Sequence, residues 1–217
     1  MAQVVGKRLI GRLAPHSSVL FVCDVQEIFR HAIFQMPTVV RGTNALVSAA
    51  KALDVPVVVT TQYAARLGGT VSEINANLAD APHARMFDKT LFSMMTDEVR
   101  AHVESGLPGG RRPASVILCG IEGHVCVLQT CLDLLDLGYD VHVVADAVSS
   151  STSFNRDVSL ERMRQSGAFI TSVESSIFQL AGDASTPTFK KTISPLIKEH
   201  LKHENGFDRT SKDASRL

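Results

Sequence analysis

Asp24, Lys89 and Cys126 put a carboxylate, an ammonium and a thiol next to apolar runs that read as strands. Asp24 closes the run SVLFVCD. Lys89 stands in the loop MFDKTLFS. Cys126 lies six residues beyond Gly120, at the head of the apolar helical pattern HVCVLQTCLDLLDLG. A Cys in the first turn of a helix feels the positive helix end, and a nearby ammonium favours its thiolate further. A carboxylate beside that thiol can take its proton and later deliver it to a departing amine. The turn before the helix offers backbone N–H groups to an oxyanion. Together these residue types describe nucleophilic acyl transfer.

Each residue also has a plainer reading. Cysteine is a common small core residue, an Asp at a strand end is usually a turn residue, and a lone Lys is usually solvated. Cys23 and Cys119 lie inside strand patterns, and Cys131 lies on a helical apolar stripe, so these three read as core. His124 is two residues from Cys126; on an α-helix that spacing turns the side chains apart. Tyr63 and Arg66 follow the second strand, at the edge where α/β sheets hold ligands. Asp146 reads as a turn-anchoring acid. GLPGG lacks the Lys-Ser/Thr of a phosphate loop.

The elements that must carry these residues alternate. Strand patterns fall at 17–24, 55–62, 114–120, 139–146 and 168–172, with a shorter one near 84–93. Helical patterns fall at 37–54, 96–105, 155–166 and 174–181, and in the segment after Cys126 closed by Gly138. Leu128, Cys131, Leu132 and Leu135 supply an i, i+3, i+4, i+7 stripe there. The segment 71–78 is ambiguous. Strands apolar on both faces belong in a parallel sheet covered by helices on both sides. The expected architecture is α/β: three layers, αβα, around a six-stranded parallel sheet of order 3-2-1-4-5-6. In that order the first and fourth strands are neighbours, so Asp24 and Cys126 meet at one edge.

At 217 residues the chain fits one α/β domain. Its expected organisation is a lead-in at 1–16, a catalytic domain at 17–184, and a polar segment at 185–217 with one short helix near 194–203. The formal net charge is zero and aromatics make up 6%, which gives no electrostatic case for nucleic acid or an anionic membrane. No apolar run has membrane-spanning length. Four cysteines without a CxxC pair argue for reduced thiols inside a cell. The expected location is cytoplasmic, with a mitochondrial alternative carried by the basic, acid-free stretch before Asp24.

The motifs also resemble a known family. LFVCDVQEIF is similar to the opening D-x-Q-x-x-F of the isochorismatase-like hydrolase superfamily, MFDKTLFS to its Lys loop, and ILCGIEGHVCVLQTCLDLLDLGYDVHVVADAVSS to its G-[IV]-x-x-x-x-C-[VI] segment. The resemblance runs from about Ser17 to Ala184. TTQYAARLGGTV and RMRQSGAFITSVESSIFQLAGDA are most similar to isochorismatase domain-containing proteins. The resemblance implies that family's fold, with Asp24 as acid/base, Lys89 as catalytic lysine and Cys126 as nucleophile. It implies an oxyanion hole from the N–H groups of Glu122 and Cys126, a cis peptide at Ile121–Glu122, and pocket walls at Gln26, Phe29 and Ile121. Tyr63 joins them as a candidate substrate-binding residue. It also implies a homo-oligomer, a dimer or larger.

Departures refine the expectation. Metal-dependent nicotinamidases of the superfamily carry a D-x-H cluster after the second strand. Here that loop reads QYAARLGGT, so no metal and no other cofactor is expected. Isochorismatases usually have a small residue where Cys126 stands, which points to a small amide-like substrate and a thioester. Two rivals stay open. One is a non-covalent vinyl-ether hydrolase with Asp24 as general acid. The other is a binding or scaffold protein whose triad is idle.

Overall fold

The computed structural model describes residues 10–105 and 107–208. Six strands, β1 (Ser18–Cys23), β2 (Val57–Gln62), β3 (Ala84–Lys89), β4 (Ser115–Ile121), β5 (Asp140–Ser149) and β6 (Phe169–Thr171), form one sheet of order β3-β2-β1-β4-β5-β6. Every pairing is parallel. The expected α/β sheet and its order are therefore observed. β1 and β4 are buried along their whole length, as strands covered on both faces must be.

Among the described residues eight α-helices connect and flank the strands: α1 (Met36–Ala52), α2 (Ala64–Leu67), α3 (Ser72–Leu78), α4 (Asp97–Ser105), α5 (Leu128–Asp136), α6 (Ser153–Gln165), α7 (Val173–Ala181) and α8 (Ser194–His200). The ambiguous segment at 71–78 is helix α3 and packs Ile74 and Leu78 inward. The core has two parts, one on each face of the sheet. One gathers α1, α3, α7 and α8 around Leu20, Val22 and Val59; the other gathers α4, α5 and α6 around Phe21, Val58 and Leu118.

The structure turns one helix relative to the sequence pattern. The buried line after Cys126 is Val127, Thr130, Cys131 and Leu134, while Leu128, Leu132 and Leu135 are only half-buried. The cause is a π-helical turn at Gly123–Val127 ahead of α5. A wider turn shifts the face that later residues present.

The segment after 185 also differs from its polar composition. Ile193 and Ile197 are buried with the α1 side of the core. Gly206 N–H donates to Thr38 Oγ1 at 3.3 Å, and Phe207 lies over the Arg156 guanidinium, 3.8 Å from the ring centre.

Candidate active site

Three strands end in the left-handed region at one edge of the sheet. Asp24 follows β1 with φ 53°, Tyr63 follows β2 with φ 45°, and Glu122 follows β4 with φ 22°. Non-glycine residues rarely sit there, and such strain gathers at functional sites. Gly120, with φ 125°, lets β4 approach β1 here: a Cβ on it would collide with the backbone of Cys23. The peptide expected to be cis at Ile121–Glu122 is trans, as is every peptide bond among the described residues. The sharp exit from β4 is made instead by the φ of Glu122 and the π-helical turn after it.

Lys89 is the last residue of β3 rather than a loop residue. Its side chain is 0% exposed and pairs with Asp24, 3% exposed, at 2.7 Å. The ammonium also donates to Gln62 Oε1 at 2.7 Å, Phe92 O at 3.0 Å and Leu91 O at 3.1 Å. Thr60 Oγ1 donates to the other Asp24 oxygen at 2.7 Å. A buried charge persists only when so surrounded.

Cys126 is buried in the π-helical turn, and its carbonyl accepts from Thr130 Oγ1 at 2.7 Å. Asp24 and Cys126 line one cavity of about 270 Å3 with Phe29, Gln62, Phe92 and Ile121. Its wall is completed by Leu67, Glu122, His124, Val125 and Ser151. Lys89 stands behind Asp24. A larger cleft, about 760 Å3, lies at the opposite edge among Ser17, Ala114 and Tyr139, far from these groups. Volume alone therefore does not locate the chemistry.

Two expected wall residues lie elsewhere. Gln26 is fully buried and clamps the loop after β2: its amide donates to Gly68 O at 2.7 Å and Gln62 O at 3.1 Å, and accepts from Gln62 N–H at 2.8 Å. Tyr63 is 42% exposed, with the Arg66 guanidinium 5.8 Å from its ring centre, outside the cavity lining. His124 nevertheless lines the cavity, from the π-helical turn that also carries Cys126. Its Nδ1 lies 3.2 Å from Glu122 Oε2, and that oxygen accepts from Ser151 N–H at 3.1 Å. Gln62, Leu67, Phe92 and Ser151 carry no motif-grade signal; only their places near strand ends could have suggested them.

The four cysteines are free and buried. Burial pushes the Cys119 and Cys131 thiols up to about 12. Burial raises Cys23 as well. Its Sγ lies 3.6 Å from Asp24 Oδ2. Asp146 accepts from Val173 N–H at 2.8 Å, the anchoring role its position suggested, and burial raises its carboxyl. No cluster of three or more His, Cys, Asp or Glu suited to a metal exists among the described residues. No described helix is long and apolar enough to cross a membrane.

Comparison with known proteins places this geometry. The model of the isochorismatase domain matches residues 18–175. The chain is 70% identical over 202 residues to the secreted isochorismatase effector Isc1 of Phytophthora sojae, covering 93% of this chain and 94% of that one. It is 48% identical over 192 residues to isochorismatase domain-containing protein 2 of Xenopus laevis, covering 88% and 89%. Its structure superposes with TM-score 0.83 on that of the MAR1 ribonuclease from Caenorhabditis elegans, at 38% identity, over 92% of this chain and 98% of the other. With most of the chain matched in sequence and fold, this protein belongs to the isochorismatase family of hydrolases.

Proposed function

We propose that this protein is a cysteine hydrolase of a small amide-like substrate. The supporting observation is the buried Asp24–Lys89 pair, whose carboxylate lines the same cavity as the Cys126 thiol. Asp24 takes the thiol proton, with Lys89 holding the carboxylate in place. The sulfur attacks the carbonyl carbon, and the N–H groups of Glu122 and Cys126 hold the oxyanion. Asp24 returns the proton to the departing nitrogen as the C–N bond breaks. Water, deprotonated by Asp24, then cleaves the thioester to a carboxylic acid and restores the thiol. A cavity of about 270 Å3 suits a compact acyl group. Lys89, the ammonium beside Asp24, is occupied by four acceptors. The cavity thus offers no cationic fork for a phosphodiester.

A second reading has its own support, the name of the Phytophthora sojae relative. There the substrate is isochorismate, Asp24 is the general acid on a vinyl ether, and no bond to Cys126 forms. One experiment separates them: hydrolysis of isochorismate and of a panel of small amides by the wild type and by Cys126→Ala. Thioester chemistry predicts loss of amide hydrolysis by at least about a hundredfold in the variant. Isochorismate turnover that survives the substitution, with no amide turned over, would establish the second reading.

Two further expectations belong to this proposal. The free thiols support a reducing, cytoplasmic setting, whereas the 70% identical relative is named as secreted; fractionation of the producing cell decides. Exposed Leu91, Phe92 and Phe154 suit contact with a second copy, and light scattering reads the mass of the assembly.

A further inference from the structure

The charges of the cavity are one-sided. Besides the Cys126 thiol, its ionisable side chains are Asp24, Glu122 and His124, and no Lys or Arg is among its lining residues. Asp24 is balanced by the Lys89 ammonium at 2.7 Å. Glu122 has no such cation. Its Oε2 accepts from Ser151 N–H at 3.1 Å, and His124 Nδ1 lies 3.2 Å from the same oxygen without hydrogen-bond geometry. The Asn155 amide nitrogen, a donor, lies 3.5 Å from His124 Nε2, which suits a neutral imidazole rather than a second cation. No described residue donates to Glu122 Oε1, and the side chain is 24% exposed. The backbone points to the same side chain. Glu122 has φ 22° and ψ 84°, a conformation that glycine adopts at less cost. A charged residue held where glycine would serve the turn implies work for its carboxylate.

We propose that Glu122 sets the specificity of this cavity: its carboxylate accepts a hydrogen bond from a cationic or N–H-bearing group of the substrate and turns away anionic substrates. The inference rests on the proposed hydrolysis, with Cys126 as nucleophile, and narrows its substrate to small amides that carry an amine, an amidine or a second amide N–H. In that scheme the Glu122 backbone N–H holds the oxyanion, so the carboxylate of the same residue reads a group within a few bonds of the scissile carbonyl. An ammonium there donates to Oε1, and a charge-assisted hydrogen bond is roughly twice as strong as a neutral one. A carboxylate at the same place meets like charge, with no Lys or Arg on the wall to receive it, and like-charge contact is a means of rejecting wrong ligands. Phe29, Leu67, Phe92 and Ile121 supply apolar wall for the rest of a compact substrate. Isochorismate, a dicarboxylate, is disfavoured on the same ground.

The test uses the Cys126 thiol as its own reporter. The full chain is treated with three methanethiosulfonates of similar size, aminoethyl (cationic), ethyl (neutral) and sulfonatoethyl (anionic), and the labelling rate of each cysteine is read by peptide mass spectrometry. The Cys126 thiolate attacks the sulfenyl sulfur, a disulfide forms and methanesulfinate leaves. Rates on the chain unfolded in urea give the intrinsic reactivity of each reagent. The expected cation-to-anion ratio at folded Cys126 exceeds that of the unfolded chain by about thirtyfold or more, and falls about tenfold in Glu122→Gln. Glu122→Gly, which suits this φ, replaces that variant where Glu122→Gln fails to fold. Cys126 that reacts readily with the neutral reagent, yet shows the ratio of the unfolded chain or a ratio that loss of the Glu122 carboxylate leaves unchanged, overturns this inference alone. Cys126 inert to all three reagents overturns it together with the nucleophile reading.

Discussion

A lysine with no exposed side-chain surface keeps its charge only if its protons find acceptors, and Lys89 has four, Asp24 among them. Removing one partner leaves the other as an uncompensated buried charge, at a cost of about 3–5 kcal/mol. Lys89→Met is therefore expected to destabilise the fold by that amount, measured as the shift of a urea unfolding midpoint. Asp24→Asn combined with Lys89→Met is expected to recover most of the loss, since neither charge remains. A single variant as stable as the wild type would falsify the buried pair. At this scale the sequence was informative where chemistry is carried by residue type. Asp24, Lys89 and Cys126 stand out as an acid, a base and a thiol beside strands. Gln62 and Thr60, which hold the pair, are ordinary polar residues at ordinary places. Gln26 carries a motif yet is spent on the loop after β2. A motif marks a position, and only the fold decides whether its side chain faces the cavity or the scaffold.

The strands were legible because β-branched runs with two apolar faces have few other uses. The π-helical turn was not, since one extra residue in a turn leaves no mark on composition. Its consequence reaches α5, whose buried face moves by one position. Gly120 has a comparable reach. Gly120→Ala puts a Cβ against the backbone of Cys23 at a φ of 125°, so the β1–β4 pairing must part. The expected loss exceeds about 4 kcal/mol, visible as a collapse of soluble yield or of near-ultraviolet dichroism. The far side of the sheet sets a pH dependence. His142 on β5 is buried against Phe169 of β6, with ring centres 5.0 Å apart, and burial lowers its pKa from 6.5 to about 4. The unfolded chain thus binds a proton in that range that the folded chain refuses. Stability from this group is complete above about pH 6.5 and falls as pH drops toward 4, by up to about 3 kcal/mol. His142→Leu is expected to flatten that limb in denaturation midpoints taken between pH 7 and pH 4. An unchanged slope would show that His142 does not set it.

For the molecule as a whole, the question is where the folding unit ends. Composition places the end near Ala184, because Lys and other polar residues dominate the remainder of the chain. Burial places it later. Ile193 has no exposed surface and Ile197 is 5% exposed, and both share a core with Val39, Leu46 and Ile177. Beyond them Arg41 donates to Glu204 O at 2.9 Å, and Phe207 packs on Phe34 with ring centres 5.9 Å apart. Phe34 in turn donates its N–H to Ser150 O at 2.9 Å and accepts from Ser149 Oγ at 2.5 Å, next to the cavity residue Ser151. The segment is sparse in apolar residues, but those it has are placed at helical spacing, four apart, where one face of α8 meets α1. Truncation of a fully buried Ile to Ala costs about 2–5 kcal/mol, so Ile193→Ala is expected to lower stability by that much in urea unfolding. A chain stopped after Ala184 loses both isoleucines and uncovers α1, a total that rivals the whole stability of an ordinary domain. It is expected to be insoluble or to unfold without a cooperative transition in calorimetry. A truncated chain that melts as cooperatively as the full one, within a few degrees, would mean that α8 is an appendage and that the folding unit ends where composition changes.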